Sequence, residues 1–175
     1  LNENGSPYAT LGFKVSDGAL YSTGSAYTLT INVTPVNDAP TIDTISNLTT
    51  PEFTQPNVDV TARDVDNSLT CSAVTITSGN QTLLPNGKIS ITKQQTSTGF
   101  VTCTLTLSPV QYQTGSAVIT VTATDGNSTA TTSFTLSVTS TNDAPTLSPI
   151  ANQNTNEDTP LNVTLSIGDP DGSYG

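Results

Sequence analysis

The sequence predicts an all-β protein, a tandem array of two-sheet sandwiches, and three observations carry that expectation. Threonine fills 35 of the 175 positions, and its β-branched side chain suits the half-wet face of a pleated strand better than a helix. With them come 11 prolines and 12 glycines to make turns. Finally, Asn37-Asp38-Ala39-Pro40-Thr41 returns as Asn142-Asp143-Ala144-Pro145-Thr146, an offset of 142 − 37 = 105 residues.

A period near 105 places one complete repeat at 39–143, the end of a preceding repeat at 1–38 and the beginning of a third at 144–175. The chain is therefore expected to be a piece of a longer polypeptide, with its ends inside repeats. In the first piece, Leu11, Phe13 and Val15 alternate up to Asp17-Gly18, and Tyr27, Leu29, Ile31 and Val33 alternate after it, which reads as a hairpin. The complete repeat alternates at Val58, Val60, Ala62; at Leu69 and Cys71; at Ile89 and Ile91; at Val101, Cys103, Leu105, Leu107; at Ala117, Ile119, Val121, Ala123; and at Phe134, Leu136, Val138. Turn signals separate these runs at Ser78-Gly79-Asn80, Pro85-Asn86-Gly87, Ser97-Thr98-Gly99 and Asp125-Gly126-Asn127. About seven short strands so spaced predict an immunoglobulin-like sandwich. The third piece, with Leu161, Val163, Leu165 and Ile167, is expected to supply its first two strands. The linkers Pro35–Pro40 and Ser140–Pro145 contain no glycine and hold proline, so they read as stiff connectors.

Cys71 and Cys103 both fall at inward positions of their runs. Two readings stand: a disulfide across the sandwich, or two buried free thiols acting as small apolar residues.

The net charge of −10 with four basic residues leaves no cationic patch for nucleic acid or an anionic membrane surface. No apolar run is long enough to span a bilayer. There is no histidine, nucleophile elbow or phosphate loop, so no enzyme is expected.

Acidic residues repeat most faithfully: Glu52 returns as Glu157, Asp64 as Asp169 and Asp66 as Asp171, each 105 later. A fold needs an apolar pattern to recur, not particular carboxylates. In a sandwich whose strands run alternately up and down, Glu52 lies at the bottom of the middle repeat, Asn142 and Asp143 in the linker below it, and Asp169 and Asp171 at the top of the next. The upper junction is expected to gather Asn37, Asp38, Asp64, Asp66 and Asp125, with Glu3 as a weaker candidate. Oxygen ligands without His or Cys suit a hard cation, and a site between two domains suits Ca2+ better than magnesium.

The Asn-Asp-Ala-Pro linker, Asn156-Glu157-Asp158-Thr159-Pro160 and Asp169-Pro170-Asp171-Gly172 resemble the cadherin-like, immunoglobulin-like tandem repeats of large bacterial surface adhesins, over essentially the whole chain. The resemblance implies that Asn142 and Asp143 play the linker motif, Asp169 and Asp171 the Asp-x-Asp motif, and Glu52 the acid of the preceding repeat. It implies an extracellular, cell-surface spacer stiffened by calcium, whose partners are neighbouring repeats of its own polypeptide. The chain departs from cadherins at Pro109-Val110-Gln111-Tyr112-Gln113, where glutamines stand in place of an acidic Asp-Arg-Glu motif, so fewer ions per junction are expected. Two other functions fit the sequence: a subunit of a filament assembled with other copies through strand complementation, and a module binding a glycan or protein directly.

Overall fold

The computed structural model describes residues 3–172. In the first piece, β1 (Gly5–Phe13) pairs antiparallel with β2 (Tyr27–Val33), with Leu11 opposite Leu29 and Ala9 opposite Ile31. The middle repeat contains β3 (Thr41–Ile42), β4 (Leu48–Pro51), β5 (Asn57–Arg63), β6 (Val74–Ser78), β7 (Ile89–Ser97), β8 (Phe100–Leu107), β9 (Gly115–Thr124) and β10 (Thr129–Thr139). These form two sheets of four strands, ordered β4-β10-β9-β6 and β3-β5-β8-β7. The first strand is split: β3 pairs antiparallel with β5 in one sheet, then the chain crosses over and β4 pairs parallel with β10 in the other. Counting β3 and β4 as one strand, this is a seven-strand immunoglobulin-like sandwich. The third piece contributes β11 (Thr146–Leu147) and β12 (Ile167–Gly168), paired antiparallel.

Strand register follows the sequence period. Thr41 faces Arg63 and Ile42 faces Ala62; 105 residues on, Thr146 faces Gly168 and Leu147 faces Ile167. The β1–β2 pairs Leu11–Leu29 and Ala9–Ile31 correspond to Ile119–Phe134 and Ala117–Leu136 in β9–β10. The offset is 105 on the second strand of each hairpin and 108 on the first, because the loop before β2 is three residues longer.

The core lies between the two sheets of the middle repeat. Along β8, Val101, Cys103, Leu105 and Leu107 are fully buried, while Thr102, Thr104 and Thr106 point outward. Val60 and Ala62 of β5, Ile119 and Val121 of β9, and Phe134 and Leu136 of β10 meet them from the other strands. Each such aliphatic side chain contributes roughly 1.5–3 kcal/mol when removed from water. The outward threonines bond across strands, Thr61 to Thr102 at 2.9 Å and Thr104 to Asp59 at 2.6 Å, which ties neighbouring strands on the wet face.

The structure departs from the sequence expectations at three places. Leu69 and Cys71 are buried as expected but lie on no strand: Cys71–Ala73 is a single 3-10 turn, and the strand that follows begins at Val74. Alternate burial over three residues is equally satisfied by a turn that dips its side chains into the sandwich. Leu83 and Leu84, in the polar loop between β6 and β7, are almost wholly buried. Asn80 makes that turn, accepting Leu83 N–H on its side chain at 3.1 Å and Leu84 N–H on its backbone carbonyl at 2.9 Å. In the third piece, Leu161, Val163 and Leu165 lie outside any strand, and the second strand is reduced to Ile167–Gly168, paired with Thr146–Leu147. The counterpart strand β5 is held along its length by β8. Among the described residues, 161–166 have no such neighbouring strand.

Cys71 and Cys103 are joined in a disulfide, Cα–Cα 5.8 Å, which ties the turn before β6 to β8 of the facing sheet. Their separation of 32 residues gives a chain-entropy stabilisation of about 3–4 kcal/mol. Replacing both with alanine is expected to lower the unfolding free energy of the middle repeat by about 3 kcal/mol in urea titration. An unchanged midpoint would contradict the assignment.

Candidate metal centre

Glu52 follows β4 at the bottom of the middle repeat, and its backbone N–H donates to Thr139 O at 2.9 Å, fixing it beside the end of β10. Phe53 turns the chain away with φ 63°, a left-handed value that repeats as φ 59° at Asp158, its counterpart 105 residues on. The Glu52 side chain is 4 % exposed and is held by the linker: Thr141 N–H donates to its Oε1 at 2.8 Å. From the third repeat, Asp171 enters the same space. Its Oδ2 accepts Asp143 N–H at 2.7 Å and its Oδ1 accepts the Ser140 hydroxyl at 3.2 Å. Asp169 stands behind it, its Oδ1 accepting Asp171 N–H at 2.9 Å.

Carboxylate oxygens of Glu52, Asp143 and Asp171 lie within 4.8 Å of one another, and among the described residues this is the only group of three acids so close. Asp143 Oδ2 is buried and has no hydrogen-bond partner. Burial, followed by the charges of Asp171, Glu52 and Asp169, raises the Asp143 pKa above its ordinary value. A small crevice beside them is lined by Glu52, Tyr112, Thr114, Ser140, Pro170 and Asp171. Asn142, the remaining residue expected here, uses its amide to donate to Asp143 O at 3.3 Å.

The upper junction has the same skeleton. Asp38 N–H donates to Asp66 Oδ2 at 2.6 Å and Asp66 N–H to Asp64 Oδ1 at 2.8 Å, the counterparts of the Asp143–Asp171 and Asp171–Asp169 bonds. Asp64 is 3 % exposed, and its Oδ2 is buried without a partner. Glu3, Asp38 and Asp66 line one cavity, and the Tyr8 hydroxyl donates to Glu3. Asp125 reaches the linker through Asn37, whose amide donates to its Oδ2 at 2.9 Å. The amides of Ser128 and Asn127 close a turn on Asp125 Oδ1. The Ser128 N–H, the Asn37 amide and the Asn127 N–H together hold the Asp125 pKa below its usual range.

The donor set fits a hard divalent cation. A carboxylate oxygen taken out of water and given no donor is costly unless a cation supplies the missing charge. All the groups facing it are oxygens, with neither sulfur nor imidazole among them.

No protein-family model and no curated protein sequence matches this chain. Among solved structures it is similar to a chimeric titin Z1Z2 carrying an exogenous KLER peptide from decorin, at 20% identity over 61% of this chain and 99% of that one, TM-score 0.43. It is also similar to the titin domains Z1Z2 in complex with telethonin, at 17% identity over 66% of this chain and 55% of that one, TM-score 0.43. A third is Dpr2 Ig1-Ig2 in complex with DIP-Theta Ig1-Ig3, at 13% identity over 68% of this chain and 39% of that one, TM-score 0.42. The sandwich itself stands on the strand order of this chain.

Sequence reasoning did not single out Thr141, Ser140, Asn67 or Asn127. The first two flank the linker motif, where a hydroxyl or backbone N–H that orients a carboxylate leaves no spacing signature. Asn67 directly follows Asp64-Val65-Asp66, and that adjacency was the available signal.

The raised Asp143 pKa has a direct consequence in ion-free buffer. A folded state that holds this proton more tightly than the unfolded chain loses stability as pH rises through the Asp143 pKa. Glu52→Gln removes one of the repelling charges while leaving an oxygen for Thr141. Its expected effect in chelated buffer is a lower Asp143 pKa, read by NMR titration of side-chain carboxyl carbons; an unmoved value would contradict the arrangement.

Proposed function

We propose that the chain is a segment of an extracellular spacer built from tandem cadherin-like repeats, residues 39–143 being one repeat, and that calcium stiffens the junctions between repeats. One observation carries this reading: Glu52, Asp143 and Asp171, from two repeats and the linker between them, converge with a buried Asp143 oxygen that nothing satisfies. Without an ion, clustered carboxylates push adjacent repeats apart; with one, that charge is cancelled and the repeats lock end to end. In this reading the lower ligands are Glu52, Asp143, Asp169 and Asp171, with Asn142 in the linker. The upper ones are Asp38, Asp64, Asp66 and Asp125, with Asn37 in the linker. The disulfide supports an oxidising compartment, and outside a cell an affinity of roughly 10⁻⁴–10⁻³ M suffices. Neighbouring repeats are the primary partners, and an adhesin is the kind of protein such a stalk serves.

A second reading is favoured by exposed apolar faces. Leu11, Leu29 and Ile31 are 58%, 51% and 45% exposed, while their counterparts Ile119, Phe134 and Leu136 are 0%, 2% and 0% exposed. Strands that cover these faces come either from the same polypeptide or from another copy, which makes a filament subunit the alternative. Sedimentation of the chain across a concentration series separates them: a monomer throughout removes the filament reading.

Calorimetric titration tests the calcium reading. Calcium is expected to bind, to raise the melting temperature and to lengthen the particle in small-angle scattering. Asp143→Asn is expected to weaken binding at the lower junction by at least about tenfold, through loss of a charged ligand. No heat of binding and no thermal shift in the unmutated chain would overturn the reading.

A further inference from the structure

Asn37 differs from its repeat counterpart in a way that the carboxylates do not. Its side-chain Nδ2 donates to Asp125 Oδ2 at 2.9 Å and to Asp38 O at 3.0 Å. Its Oδ1 accepts from Asn67 Nδ2 at 3.3 Å and from Asn127 Nδ2 at 3.4 Å. Both amide hydrogens and both lone pairs of the carbonyl are therefore engaged. The partners come from three separate segments: the linker itself, the loop after β5 and the turn between β9 and β10.

At the lower junction Asn142 has the bond to Asp143 O, matching Asn37 to Asp38 O. The position matching Asn67 is Gly172, since 67 + 105 = 172, and glycine has no amide side chain to offer. The backbone-to-carboxylate bonds recur at both junctions, Asp38 N–H to Asp66 at 2.6 Å and Asp143 N–H to Asp171 at 2.7 Å. Only the Asn67 bond can be compared in this way, because the counterparts of Asp125 and Asn127, 125 + 105 = 230 and 127 + 105 = 232, fall outside this sequence.

We propose that Asn37 is a positioning residue that fastens the upper linker to two loops of the middle repeat by hydrogen bonds alone, so that this junction stays ordered without an ion. It works through Nδ2 and Oδ1 as donor and acceptor, not as an ion ligand. The contrast with the lower junction rests on the calcium reading above; the role of Asn37 itself does not.

Two substitutions separate a lock from a ligand. Asn37→Ala removes all four bonds. Asn37→Asp keeps an oxygen for an ion but loses the donor to Asp125 and sets a like charge beside it. The readout is hydrogen exchange of the Asp38 and Asp143 backbone amides in the full chain, with calcium and with chelator. In chelator, the unmutated Asp38 amide is expected to stay protected, and both Asn37 variants to lose at least about tenfold of that protection, the scale of one lost hydrogen bond. Asn142→Ala is expected to leave the Asp143 amide unchanged in chelator. Unaltered Asp38 protection in Asn37→Ala and Asn37→Asp overturns the proposal. A failure of the calcium reading shows separately, as Asp143 protection that is the same with and without calcium.

Discussion

One carboxylate oxygen sets the terms for the lower junction. Asp143 Oδ2 is buried among Asp171, Glu52 and Asp169, and no donor reaches it. Every bond around it holds the acids in place without neutralising them. Thr141 N–H holds Glu52, Asp143 N–H holds one oxygen of Asp171, and the Ser140 hydroxyl holds the other. Like charges held this close repel, and a cation is the kind of group that would offset them. The sequence offers few cations of its own, with four Lys and Arg against 14 Asp and Glu, and the ion proposed here fills that place.

The sandwich brings these residues together through its strand directions. Because β4 runs parallel to β10, the loop after β4 and the linker after β10 leave the same end of the repeat. Glu52 and Thr141 meet there, and the proline-bearing linker then hands the chain directly to β11, whose pairing with β12 presents Asp169 and Asp171. The linker is short, and its prolines restrict the backbone between the two sets of acids. The same backbone-to-carboxylate bonds at the upper junction show that the sequence period builds one geometry twice. Asn67 then gives Asn37 one bond in the upper copy for which Gly172, at the matching lower position, has no side chain.

Much of this was legible in the sequence because the relevant signals are periodic. The offset of 105 marked Glu52, Asp169 and Asp171 as members of recurring acidic pairs, the alternating strand directions set them at one junction, and alternation along β5, β8, β9 and β10 marked the core. What escaped lacked a period. The split of the first strand into β3 and β4 rests on a crossover between short segments, each too brief to alternate visibly. Cys71 mimicked a strand because Leu69, ahead of the 3-10 turn, and Cys71, its first residue, are both buried, and two buried positions so spaced also read as alternation. Leu83 and Leu84 belong to no alternating run, and their burial depends on an Asn80 turn. The Asn37 network joins residues 30, 88 and 90 positions apart through side-chain amides, and neither composition nor spacing encodes such a meeting.

The most direct test is a crystallographic anomalous-difference map of the chain grown in calcium. The account predicts a peak between Glu52, Asp143 and Asp171 at roughly 2.3–2.6 Å from their carboxylate oxygens, with Asp143 Oδ2 among the ligands. A junction with only water between those side chains and Asp143 Oδ2 bonded to solvent would contradict it.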